Sequence, residues 1–137
     1  MVRVIMGPSG MGKSKQVIDM VNSAVKTEHG NVVCIERAPK LTLDLSSSVR
    51  LIETSDYTIK GFDGLRGFLC GVYASNYDIT HIFVDSLCKL IPSDANDPAV
   101  SQFLDWLNGF SEKNNIKFTL TITGDATGVT DGVSKYF

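Results

Sequence analysis

The sequence predicts an α/β protein: three layers, with a mostly parallel sheet of about five strands and helices on both faces. Three observations carry that expectation. Apolar runs at Val2–Met6 and His81–Val84 are each followed by a segment with helical spacing. These runs are nearly continuous rather than alternating, as strands covered on both sides must be. Between the first strand and the first helix lies Gly7-Pro8-Ser9-Gly10-Met11-Gly12-Lys13-Ser14, a turn rich in glycine.

Val2–Met6 is short and stops at Gly7-Pro8, as a buried strand would. Val17, Ile18, Val21, Ala24 and Val25 then fall on one helical face, and His29-Gly30 is the expected helix stop. Asn31–Ile35 is the next strand and ends at Glu36-Arg37. After Pro39, Leu41–Leu45 alternates like a half-exposed strand, Ser46–Ser48 is a turn, and Val49–Glu53 is a further strand. The pair forms a hairpin, or only its second member joins the sheet.

Phe62 to Ala74 is expected to be helical, with Phe62, Leu65, Phe68, Leu69, Val72 and Tyr73 on one side. Gly64, Gly67 and Gly71 lie beside that stripe. Each glycine costs roughly 1 kcal/mol in a helix interior, so close packing against the sheet or another helix is the expected reason for them. His81–Asp85 reads as a buried strand ending in an acid. Asp97-Pro98 then caps a helix carrying Val100, Phe103, Leu104, Leu107 and Phe110, with Trp106 off the stripe and Asn114-Asn115 at the end. Ile116–Ile122 alternates strictly and is the last clear strand. The tail from Gly124 is read as a loop and a short helix closing at Tyr136-Phe137.

Residues Gly7 to Ser14 fit the pattern G-x-x-x-x-G-K-[ST], placed after a strand and before a helix. Its four fixed positions would match by chance somewhere in so short a chain on the order of once in a few hundred sequences. Gly7, Gly10 and Gly12 admit positive φ and close approach, so successive N–H groups can surround an anion. The following helix adds its positive end. Lys13 is the expected contact to the β- and γ-phosphates, and the Ser14 hydroxyl is a magnesium ligand. The expected nucleotide contacts are therefore Gly7, Pro8, Ser9, Gly10, Met11, Gly12, Lys13, Ser14 and Lys15.

In a parallel sheet, ligands sit beyond the carboxyl ends of the strands. Glu36, Asp85 and Thr123 are expected on that edge with the glycine-rich loop. Asp85 ends Ile82-Phe83-Val84 and suits a second magnesium-orienting group. Many phosphate-loop ATPases carry a water-activating Glu after this acid, whereas Ser86 stands here. Glu36 becomes the candidate base, with a surface carboxylate as its bland alternative. Arg37 is a candidate charge-stabilising group, Thr123 a candidate γ-phosphate contact, and Tyr136 or Phe137 a candidate stacking partner for the base.

Composition narrows the classes. The chain has 137 residues, 43% hydrophobic and 20% charged, which fits one nucleotide-binding domain spanning 1–137. A net charge of −2 without a Lys/Arg-rich run argues against nucleic acid as main partner. Cys34, Cys70 and Cys88 lack pairing or metal spacing and read as reduced, buried thiols. His29 and His81 lack ligand spacing and read as structural. Val2–Met6 is too short for a signal segment and no run approaches membrane-spanning length, so the expected location is cytoplasmic.

With Gly7–Ser14 and Ile82–Asp85 in place, the chain resembles a P-loop NTPase of minimal size. Gly30–Glu36, Ser55-Asp56-Tyr57, Gly61–Leu65 and Asn76–Thr80 add a resemblance to short bacterial P-loop proteins often labelled twitching-motility proteins. The acidic and histidine boxes of pilus-retraction ATPases have no counterpart among these residues, so the resemblance implies nucleotide binding and not motor activity. It implies ATP and Mg²⁺ as ligands, with Lys13 and Ser14 on phosphate and metal and Asp85 in the metal shell. No guanine-reading N-K-x-D motif is present, which favours ATP. The expected function is slow or partner-stimulated Mg-dependent ATP hydrolysis in a switch or accessory subunit, with a protein partner or a second copy as stimulator. The alternatives are a small nucleotide or metabolite kinase, and a nucleotide-sensing module that does not hydrolyse.

Overall fold

The computed structural model describes residues 1–137 apart from Met11, Lys40, Thr42 and Leu43. Five strands, β1 (Val2–Gly7), β2 (Asn31–Glu36), β3 (Arg50–Glu53), β4 (Ile79–Val84) and β5 (Lys117–Thr123), form one sheet in the order β1-β5-β4-β2-β3. Every pairing is parallel. The main helices are α1 (Lys13–Thr27), α2 (Gly61–Ser75) and α4 (Pro98–Asn114), with short turns of helix at α3 (Leu87–Leu90) and α5 (Asp131–Ser134).

The placement of helices follows from the handedness of parallel crossovers. The connection from β1 to β2 travels toward the β3 edge, while those from β3 to β4 and from β4 to β5 travel back. Right-handed connections running in opposite directions put their helices on opposite faces. Val17, Val21 and Ala24 of α1 accordingly pack with Val32, Cys34 and Phe83 on one side. Leu65 and Leu69 of α2 and Phe103, Leu104 and Leu107 of α4 pack with Val33, Ile35, Ile82 and Val84 on the other. Alternate residues of β2 and β4 thus serve two cores, which is why both strands read as continuous apolar runs.

Local signals set most of the ends. Asp97 caps α4 through an Oδ1 that accepts from the Ala99 N–H at 2.9 Å, and Pro98 follows at the first helical position. Asn115 ends α4 in the left-handed region at φ 54°. Trp106 is half-buried off the main stripe. No helix among the described residues is long and apolar enough to cross a membrane.

Four expectations change. The Leu41–Leu45 strand is not formed at Leu41, Asp44 or Leu45, with Thr42 and Leu43 outside the described residues. The alternative left open for Val49–Glu53 is decided for joining the sheet without a hairpin, since β3 pairs in parallel with β2. Gly30 does not provide a left-handed helix end. Glu28 closes α1 in extended conformation, and Gly30 is needed because a Cβ there would lie 2.1 Å from the Asp78 carbonyl oxygen. Gly67 and Gly71 pack against nothing: a Cβ on either meets open space, and only Gly64 has a close neighbour, Ile59. Of the three thiols, Cys34 is buried, Cys88 half-buried and Cys70 exposed on α2.

Candidate functional site

The site begins with the backbone of the β1–α1 loop. Gly10 and Gly12 sit at φ 84° and 76°, in the region that costs a residue with a Cβ about 1–2 kcal/mol. Gly7 has no positive φ, because it is still in the ladder opposite Thr123. A Cβ at Gly7, Gly10 or Gly12 would touch nothing within 4 Å, so the space beside the loop is open to a ligand. Gly12 is the N-cap of α1, and having no side chain it offers no cap hydrogen bond. The first turn of α1 also lacks an acidic residue. A 15-residue helix therefore presents an uncapped positive end, which favours an anion there.

Ser9, Gly10, Gly12, Lys13, Ser14, Asp85, Ser86, Lys89 and Thr123 line a cleft of about 340 Å³ beyond the carboxyl ends of β1, β5 and β4. The Lys13 ammonium lies back over its own loop and donates to the Pro8 carbonyl oxygen at 2.7 Å. Asp85 follows β4 and is only 4% exposed. Its Oδ1 accepts from the Thr121 hydroxyl at 2.8 Å, and the Thr121 Oγ1 accepts from the Ser86 N–H at 2.8 Å. The Asp85 N–H donates to the Ile35 carbonyl oxygen at 2.9 Å, which fixes the Asp85 backbone against the end of β2. A buried carboxylate fixed on one oxygen by a neighbouring strand keeps the other for a cation or its water.

A second cleft of about 290 Å³ opens beside the first, lined by Glu36, Arg37, Ala38, Pro39, Asp85, Ser86 and Lys89. Asp85, Ser86 and Lys89 are common to both. Glu36 is 2% exposed and accepts from the Leu41 N–H at 3.4 Å, so it is not an ordinary surface carboxylate. Cys34 lies beneath the two acids on β2. Burial, with the nearby Asp85 and then Glu36 charges adding, pushes its thiol up to about 12. Two carboxylates so little exposed on adjacent strand ends are costly to maintain unless cations or hydrogen-bond donors reach them. Among the described residues, Lys13 and Lys89 in the first cleft and Arg37 and Lys89 in the second are the cations at hand.

The structure brings together most of the residues singled out from the sequence, with exceptions. Gly7, Pro8 and Lys15 do not line the cleft, and Met11 lies outside the described residues. Arg37 lines the second cleft only. Tyr136 is turned away: its hydroxyl donates to Asp105 at 2.6 Å and its carbonyl oxygen accepts from the Val4 N–H at 2.8 Å. Neither it nor Phe137 lines either cleft. Sequence reasoning missed Thr121, Ser86 and Lys89. Thr121 was readable only as one member of an alternating strand, and its partnership with Asp85 depends on β5 lying beside β4. Among the described residues no three His, Cys, Asp or Glu side chains gather to hold a metal unaided. A divalent cation here would share Ser14 and Asp85 with ligand oxygens and water.

No protein-family model matches the chain, and no curated protein matches it.

Proposed function

We propose that this chain binds Mg-ATP in the first cleft and hydrolyses it slowly, acting as a switch or accessory subunit whose turnover a protein partner raises. One observation carries the reading. An open loop held by Gly10 and Gly12, the uncapped start of α1, Lys13, Ser14, Asp85 and Thr123 converge on one cleft from three separate strand ends. Nothing in the packing of a parallel sheet requires that set of groups to meet.

Magnesium bound by the Ser14 hydroxyl and, through water, by Asp85 would neutralise charge on the β- and γ-phosphate oxygens. Lys13 leaves the Pro8 carbonyl oxygen and pairs with phosphate, a charge-assisted bond stronger than the one it gives up. Thr123 approaches the terminal phosphate from β5. A water on the Glu36 side attacks the γ-phosphorus and the bond to the bridging oxygen breaks. ADP leaves with the bonding electron pair, and the water's proton passes to the Glu36 carboxylate. Ser86 stands where a water-activating carboxylate follows the metal-orienting acid in many such ATPases, which supports slow basal turnover.

The second cleft favours one other reading, phosphoryl transfer to a small acceptor seated against Ala38 and Pro39. Product analysis separates the two. Incubation with Mg-ATP alone should yield ADP and free phosphate in equal amounts. Consumption of ATP only when an acceptor is added would replace hydrolysis by a kinase reaction. Binding without turnover under either condition would leave a nucleotide sensor.

A further inference from the structure

We propose that Lys89 is a catalytic cation supplied within the same chain, meeting the terminal phosphoryl group from the side opposite Lys13. This rests on the nucleotide reading above. Among the described residues three cations border the two clefts, and they are not equivalent. Lys13 lines only the first cleft, Arg37 only the second, and Lys89 lines both. A phosphoryl group under attack must lie where the phosphate cleft meets the space that holds the nucleophile, and Lys89 is the cation at that junction.

The chain after Asp85 is built to hold it there. Ser86 adopts φ 56°, a left-handed conformation that is uncommon for a residue with a Cβ. Its N–H is tied to Thr121 and its carbonyl oxygen accepts from the Lys89 and Leu90 N–H groups at 3.0 Å. The sharp turn starts α3 directly at the end of the strand. Leu87, Leu90 and Ile91 are buried in the core shared with α2 and α4, which anchors α3 and leaves Lys89 exposed between the clefts. Among the described residues the Lys89 ammonium makes no ion pair and no side-chain hydrogen bond, so its charge is not committed to a structural partner.

During transfer, charge builds on the equatorial oxygens of the phosphoryl group and on the bridging oxygen that leaves with ADP. A fixed cation aimed at that developing charge stabilises the transition state more than the bound triphosphate. Lys89 takes no proton and forms no bond in the step; the water's proton still goes to Glu36. The same placement serves an acceptor hydroxyl in the second cleft.

The test compares wild type, Lys89→Met and Lys89→Arg as full chains. Calorimetry gives the affinities for Mg-ATP, for Mg-ADP, and for Mg-ADP with aluminium fluoride, which imitates the phosphoryl group in flight. Wild type should bind the fluoride complex at least about 30-fold tighter than Mg-ADP. Lys89→Met should lose about tenfold or more of that gain, hold Mg-ATP within about threefold, and melt at the wild-type temperature; Lys89→Arg should restore most of the gain. The proposal is overturned if Lys89→Met keeps the full gain, if wild type shows none, or if Mg-ATP affinity falls in step with the analogue. Failure of wild type to bind Mg-ATP would instead overturn the nucleotide reading itself.

Discussion

Helix α1 runs from one polar cluster to another, and the two ends teach different lessons. At the carboxyl edge of the sheet Lys13 and Ser14 face Asp85 and Thr123 across an open cleft. At the amino edge, just past the helix, Glu28 meets Lys117 at 3.1 Å and the His81 ring at 3.6 Å, and the His81 Nε2 lies 2.9 Å from the Thr119 hydroxyl. The His81 ring stacks on Phe83 with centroids 4.0 Å apart. The carboxyl-edge groups line an open cleft, whereas the comparable opening of about 340 Å³ at the amino edge, bordered by Asn31, Arg50 and Ile79, is not lined by Glu28, His81 or Lys117. Glu28 Oε2 accepts from Lys117 and His81 meets Thr119, while the buried Glu28 Oε1 has no hydrogen-bond partner among the described residues, so this brace is held at a cost. An open space on which several polar groups converge, rather than polarity as such, separates a site from a brace.

The largest expected effect comes from Asp85. Asp85→Ala should lower Mg-dependent turnover about 10³-fold by removing the metal-orienting oxygen, read by phosphate release across a magnesium titration. Glu36→Gln keeps the shape and removes the base, and a fall of about 10²-fold in turnover with Mg-ATP affinity unchanged is expected. Equal loss of affinity and turnover in Glu36→Gln would make Glu36 a brace like Glu28 and erase the contrast between the two edges.

The amino edge should answer to pH instead. Burial lowers the His81 imidazole to about 4, against the opposing pull of Glu28. The folded state then takes up its proton at lower pH than the unfolded chain, whose histidine titrates near the ordinary value of about 6.5. The unfolded chain binds more protons in that window, so stability present above about pH 6.5 is lost as pH falls toward 4. The loss is on the order of 2–3 kcal/mol in urea unfolding, and His81→Phe should flatten the slope without altering Mg-ATP affinity.

How far the sequence reached differs between the same two edges. The glycine-rich loop is contiguous, so its place between β1 and α1 was readable from Gly7–Ser14 alone. Asp85 was readable because a buried strand ending in an acid leaves a local pattern. Thr121, Lys89 and the burial of Glu36 were not readable, because each depends on which strand lies beside which, and the order β1-β5-β4-β2-β3 leaves no mark in local periodicity. The amino-edge brace was invisible for the same reason: Glu28, His81 and Lys117 come from three distant segments. Leu41–Leu45 misled by alternation: Leu41 is buried in the α1-side core from a bend and not from a strand, with Thr42 and Leu43 outside the described residues.

The smallest expected effect concerns the thiols. Cys70 is exposed and should react with a thiol reagent in the native protein, whereas Cys34, buried and raised to about 12, should react only on unfolding. Rapid native labelling of Cys34 would mean that the strand end carrying Glu36 opens to solvent, and the fixed geometry claimed for the second cleft would fail.

The seat proposed for a magnesium-bound triphosphate is the loop with Lys13. Calorimetric titration of Mg-ATP into wild type and Lys13→Ala tests it most directly. Wild type should show one site per chain and Lys13→Ala at least about 100-fold weaker binding, with unchanged melting of the free protein. Absence of binding in wild type, or equal affinity in the two proteins, would contradict it.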